Sequence, residues 1–209
     1  MRKLITLIFI FGLLLSSVAQ EKSMSKSEIQ TFKENVKASA KSITTIKSDF
    51  TQYKHLDILS NDIETNGHMV FKSPNLVKWQ YTKPFSYSVI FKEDQLLIND
   101  DGTKSNVDIG SSKLFKNLNE LIISSIKGDM FIENDFNISY LKSNTYYKAT
   151  FIPKEKAISN YIAQFELLFD KTNAQVFEVK MIEPSQDYTR IVFKNRVLNT
   201  PVSNAVFTH

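Results

Sequence analysis

The residues in this chain that could do acid–base or metal chemistry are few and scattered. Its 209 residues include three histidines, His55, His68 and His209, and no cysteine. No two histidines stand at H-x-x-x-H or comparable metal spacing. His68 sits opposite the apolar phase of its strand, where an exposed histidine is ordinary. Asp100, Asp101 and Asp108 lie around a turn at Gly102. Paired carboxylates can hydrolyse glycosides, but adjacent aspartates before a glycine are first of all turn formers. There is no G-x-S-x-G elbow, no P-loop and no glycine-rich dinucleotide turn, and the chain has only five glycines. The reading is therefore no catalytic residue, no metal and no cofactor: the protein is not expected to be an enzyme. What remains is aromatic. Sixteen Phe, eight Tyr and one Trp fall mostly on the in-phase side of predicted strands. Such a face is either a filled core beneath two helices or the wall of a void. Apolar cavities are where soluble carriers hold lipid chains, at about 0.8 kcal/mol per buried CH₂.

The elements that must position this face centre on Phe50–Asn99, and within it on Gly67–Pro84, GHMVFKSPNLVKWQYTKP. Met69 and Phe71 share one face of a first run. Val77, Trp79 and Tyr81 share one face of a second, with a Ser73-Pro74-Asn75 turn between. Period-two alternation marks half-buried strands, and Pro74 fits a turn because it cannot donate to a ladder. Tyr87, Val89 and Phe91 continue the pattern, and Leu96–Ile98 begins a fourth run. Upstream, Ser25 and Glu28 form an S-x-x-E capping box opening a helix whose stripe is Ile29, Phe32, Val36, Ala40 and Ile43. Ile46, Ser48, Phe50 and Gln52 alternate in a first strand. A polar segment, Asp57–Asn66, follows it. After Asn99 the stretch to Gly110 is poorly patterned. A second helix is expected from Ser111 or Ser112, with Leu114, Leu118, Leu121 and Ile122 on its face and Gly128 stopping it.

Strands resume at Phe136, Ile138 and Tyr140, then at Tyr147, Ala149 and Phe151. Tyr161, Ala163, Phe165, Leu167 and Phe169 make the longest clean alternation. Phe177, Val179 and Met181 follow, then Thr189, Ile191 and Phe193, and Val202–His209 reads as one more short strand. Helix, strands, helix, strands argues a single antiparallel sheet, mainly β in an α+β chain, with the helices gathered on one face.

The N-terminus has the form of a signal peptide at residues 1–19. Arg2 and Lys3 precede the apolar Leu4–Leu15, and Ser17-Val18-Ala19 resembles a cleavage site. The run is shorter than the roughly 20 residues a spanning helix needs. Cleavage after Ala19 leaves one exported, soluble domain over residues 20–209. Without Arg2 and Lys3 the net charge of +4 becomes +2, too little to argue for nucleic acid.

Taken as an ordered set, Phe50-Thr51-Gln52, the block from Gly67 to Trp79, Pro84, the strand at Leu96–Ile98 and the C-terminal LNTPVSNAVF resemble the LolA family of periplasmic lipoprotein carriers. The resemblance implies an incomplete β-barrel of antiparallel strands with a helical lid over a hydrophobic cavity. It implies a monomeric chaperone that binds the acyl chains of lipoproteins. An inner-membrane ABC lipoprotein-releasing transporter would load it, and an outer-membrane acceptor would receive the cargo. The absence of a cysteine for lipidation favours the soluble carrier over the anchored receptor of the same fold. By motif position, Phe50, Met69, Phe71, Val77, Trp79, Tyr81 and Phe91 would line the cavity. Phe32, Val36, Leu118 and Ile122 would form the underside of the lid.

One position departs from the pattern. Where the family commonly has an arginine that latches the lid, this chain has Ser73, which offers no guanidinium fork. A looser lid or a different latch is the expectation. The cargo is left open too: a glycolipid or another amphiphile, or a role as a lipoprotein-sensing module, would use the same fold. A secreted structural domain with a filled core is the remaining reading.

Overall fold

A computed structural model describes residues 21–92, 95–109 and 123–208. The signal-peptide segment, His209, and the lid positions Leu118 and Ile122 lie outside the described residues. Among the described residues, twelve strands form one antiparallel sheet, in the order β1-β8-β9-β10-β11-β12-β2-β3-β4-β5-β6-β7. In chain order the strands are β1 (Lys22–Ser23), β2 (Thr45–His55), β3 (Ile63–Lys72), β4 (Leu76–Lys83), β5 (Tyr87–Lys92) and β6 (Gln95–Asp100). They continue with β7 (Thr103–Asp108), β8 (Phe136–Lys142), β9 (Tyr146–Pro153), β10 (Gln164–Asp170), β11 (Val176–Ile182) and β12 (Tyr188–Leu198). The sheet is open and curved, with β1 and β7 as its edges. Two meanders, β2–β7 and β8–β12, meet where β12 pairs with β2.

Helix α1 (Lys26–Lys41) begins as its sequence dictates. The Ser25 N–H donates to Oε2 of Glu28 at 2.9 Å, while the Glu28 N–H donates to Oγ of Ser25 at 3.4 Å. Reciprocal bonds of this kind satisfy two N–H groups that a helix start otherwise leaves unpaired. The apolar stripe then buries Phe32 and Val36 against the sheet. Phe32 meets the rings of Phe131, Tyr140, Tyr147 and Phe169 at centroid distances of 5.5, 6.2, 5.0 and 5.0 Å. Residues 123–127 are also helical and end at Gly128, whose φ of 75° suits a helix stop.

Several boundaries differ from the sequence reading, each for a local reason. The unpatterned stretch after Gly102 is strand β7, which is exposed at every position and so carries no alternation. Strand β3 begins at Ile63, inside the polar segment. Tyr161 and Ala163 precede β10, because a one-turn helix at Lys156–Ser159 leads into it. The β10–β11 pairing slips between Leu168 and Phe169 of β10, whose partners on β11 are Glu178 and Val176. That bulge takes Phe177 out of phase with Val179 and Met181, and its ring meets Tyr146 instead. The C-terminal segment is a 3₁₀ turn, Asn204–Phe207, rather than a strand. It places Phe207 and Val202 in a separate cluster with Ile90 and Leu97.

Candidate functional site

The concave wall is built from rows of side chains that the register places side by side. Met69, Trp79, Val89 and Ile98 are successive partners across β3, β4, β5 and β6. Phe71, Val77, Phe91, Leu96 and Val107 form the neighbouring row. From the other meander, Ile191, Val179 and Leu167 form a third row across β12, β11 and β10. Period-two geometry puts every second residue of each strand on this one face.

Between these rows and α1 lies a cavity of about 560 Å³. That volume falls within the ~300–1,000 Å³ typical of sites for drug-sized ligands. Its roof is Val36, Ser39, Ala40 and Ile43 on α1 or just beyond its end, with Ser125 and Ile126 from the second helical stretch. Gly128 brings these two roof elements together. A Cβ there would stand 3.0 Å from Cα of Lys37 and 3.1 Å from Cβ of Ala40.

The structure places the sequence-proposed residues that it describes in four settings. Met69, Trp79, Phe91 and Val36 line the cavity itself. Phe50, Phe71 and Val77 are buried in the cluster that also holds the lining residue Met69, and Trp79, Phe91, Ile43, Ile123 and Ile126 pack against it. Tyr81 is part-buried beside Phe50, with ring centroids 5.2 Å apart, and its hydroxyl donates to Oε1 of Gln52 at 3.1 Å. Burial raises the Tyr81 pKa above the ordinary phenol value. Phe32 packs in the cluster on the β8–β11 side of the sheet. Ser73 is exposed at the β3–β4 turn, where its N–H donates to the carbonyl of Thr44 at 2.8 Å.

The sequence reading did not bring in the second meander. Phe165, Leu167, Phe169, Val179, Met181, Thr189, Ile191 and Phe193 all line the cavity. Their alternation was visible, but not the curvature that turns it toward Trp79. Arg196 was also missed, and it is the one charged side chain in the described lining. A second register shift in β12, between Lys194 and Val197, accompanies a φ of 51° at Asn195. Nη1 of Arg196 donates to Oε1 of Gln175 at 2.9 Å, and Nη2 donates to the carbonyl of Val176. Its Nε is buried and has no partner. Burial pulls the guanidinium pKa below its ordinary value, with the Asp170 charge acting in the opposite sense.

No cluster of three or more His, Asp or Glu that could hold a metal occurs among the described residues. Among the same residues, no helix is long and apolar enough to cross a membrane. The arrangement can bury an apolar chain and offer hydrogen-bond donors at one place.

Residues 41–209 match the family described as "Outer membrane lipoprotein carrier protein LolA". No curated protein sequence matches the chain. Among solved structures, an uncharacterized conserved protein from Thermus thermophilus superposes with a TM-score of 0.53 at 9% identity, covering 86% of this chain and 91% of that one. MucB superposes with a TM-score of 0.51 at 9% identity, covering 88% of this chain and 64% of MucB. A putative outer membrane lipoprotein-sorting protein domain from Vibrio parahaemolyticus gives 0.48 at 10% identity, covering 85% and 94%. At these identities the likeness is one of fold.

Proposed function

This chain belongs to the LolA family of outer membrane lipoprotein carrier proteins, and on that premise we propose that it carries lipoproteins between membranes with their acyl chains in the cavity. The observation that carries the reading is the cavity itself: about 560 Å³, walled by aromatic and aliphatic side chains from both meanders and roofed by α1. Each methylene moved from water into such a space contributes about 0.8 kcal/mol, so one long chain contributes on the order of 10 kcal/mol. An aqueous carrier of acylated cargo needs that driving force, and it needs a roof that can part to load and release.

In this reading residues 1–19 are the export signal, and the mature chain works as a monomer in the periplasm. It accepts acylated lipoprotein from an inner-membrane ABC transporter and delivers it to an outer-membrane acceptor. Met69, Trp79 and Phe91 contact the chains, with Phe50, Phe71, Val77 and Tyr81 supporting them from behind. Phe32 and Val36 hold the roof.

Native mass spectrometry of the protein purified from its own periplasm, with extraction of bound lipid, tests the proposal. An acylated lipoprotein at one per chain supports the full reading. A bound glycolipid or other amphiphile keeps the cavity reading and replaces the cargo. An empty protein that also refuses a fluorescent fatty-acyl probe overturns both.

A further inference from the structure

A lone guanidinium in an apolar cavity is costly unless something satisfies it. Arginine carries five N–H donors and no acceptor. In Arg196 one donor from each Nη is taken, by Gln175 and by the Val176 carbonyl, while Nε is buried without a partner. A buried donor left unpaired costs more than a typical hydrogen bond contributes, and the cost is greatest on a charged group. The guanidinium also lies over the Phe193 ring, with its Cζ 5.8 Å from the ring centre, a cation–π contact that offsets part of its burial cost but accepts none of its in-plane N–H groups.

The polar groups near it are fixed by the fold. Gln175 lies in the β10–β11 turn and orients Nη1. Asp170, at the start of that turn, supplies an opposing charge, and its Oδ1 accepts from the N–H and hydroxyl of Thr172, at 2.7 and 2.5 Å. The remaining described lining offers hydroxyls at Ser39, Ser125, Thr189 and Tyr87, and no carboxylate. Nε is enclosed by protein, so the donors that can meet a ligand in this space are the second N–H groups of Nη1 and Nη2, which Gln175 and the Val176 carbonyl orient.

From this geometry we infer that Arg196 is the polar anchor of the cavity, donating to the acyl oxygen that ends the ligand's chain. The inference deepens the acyl-chain reading above and rests on it. The chemistry recognised is a carbonyl or carboxylate oxygen adjoining a long alkyl chain, as in a lipid ester or a free fatty acid. A chain ending in an ether lacks the carbonyl and offers the guanidinium only a weaker acceptor.

Three amphiphiles with matched chains test the inference: monolaurin (ester), 1-O-dodecylglycerol (ether) and laurate (carboxylate). Binding is read from the fluorescence of Trp79, the single tryptophan, which lines the cavity. Monolaurin is expected to bind wild-type protein about ten-fold tighter than the ether, since a hydrogen bond to a charged group is worth at least that factor. Arg196→Met and Arg196→Gln should erase the preference by lowering monolaurin affinity to about that of the ether. Laurate binding tighter than monolaurin would support the anchor and name a free carboxylate as its partner; equal binding would support it and show that the carbonyl suffices. Equal affinity for ester and ether in the wild type overturns the inference, and that comparison stands even if a variant fails to fold. A preference that survives in both variants overturns it as well. If none of the three binds, the acyl-chain reading falls, and the anchor with it.

Discussion

The ring of Phe50 lies against the bare Cα of Gly67, its antiparallel partner on β3. A Cβ at Gly67 would stand 2.6 Å from Cζ of Phe50 and 2.2 Å from the backbone oxygen of Gln80. The missing side chain lets the ring settle between Trp79 and Tyr81, with centroids 5.0 and 5.2 Å away, both edge-to-face. Gly67→Ala should therefore destabilise the fold by about 2–3 kcal/mol, because the obstructing oxygen belongs to backbone and cannot swing aside. A fall in the urea midpoint with an unchanged slope would confirm this. An unchanged midpoint would show that the ring does not depend on the gap.

Filling the cavity should separate binding from stability. Val179 lines the void from β11. Val179→Trp places extra bulk in open space rather than in packed core, so its expected stability change is within about 1.5 kcal/mol. Affinity for a fluorescent fatty-acyl probe should drop at least ten-fold. Unimpaired binding would mean that acyl chains lodge elsewhere.

The convex face offers the converse test. Phe207 is 1% exposed in the cluster with Ile90, Leu97 and Val202, apart from the cavity lining. Phe207→Ala should cost about 3–5 kcal/mol by leaving a void, yet leave acyl affinity per folded molecule unchanged. A loss of affinity in the folded fraction would show that the two faces are coupled.

How much of this was legible beforehand follows from the physics of each element. The capping box at Ser25 and Glu28 is a local code, and it is met residue for residue. The alternation through Met69, Phe71, Val77 and Trp79 reads directly because one face of those strands is buried. Strand β7 was invisible because all of its residues are exposed and only Val107 is a large apolar one. The phase of Phe177 failed because a bulge carries no composition signal of its own. Arg196 was beyond reach for a related reason: only the shift in β12 and the turn holding Gln175 put a guanidinium into the cavity.

Acid should weaken the tie between α1 and the sheet. Lys142 on β8 pairs with Glu28, and this hydrogen bond, followed by those from Ser25, holds the Glu28 carboxyl at about 2 against an ordinary 4.5. A depressed carboxylate pKa contributes stability that is full above the ordinary value and is lost as pH falls through the folded one. The stability gap between wild type and Lys142→Met should therefore be constant above about pH 4.5 and close toward pH 2. Urea titrations across that range would show it. A gap independent of pH would mean that the pair contributes nothing through charge.

The latch departure can be tested by restoring the guanidinium. We predict that Ser73→Arg slows amide hydrogen exchange in α1 of the ligand-free protein. Exchange rates identical to the wild type would show that this corner does not govern the roof.

The seam between β12 and β2 fixes when the molecule can become itself. Oγ of Ser48 bonds the carbonyl of Lys194 at 2.9 Å across 146 residues of chain. Closing so long a loop is entropically demanding, and sheets dominated by such pairings form slowly. Strand β2 belongs to the early part of the chain, but one of its two neighbours is β12, the last strand among the described residues. An emerging chain can form hairpins in each meander as they appear, but the two walls of the cavity have no common frame until β12 arrives. Assembly of the cavity is thus postponed until β12 has been made, and until then neither aromatic face has the other to close against.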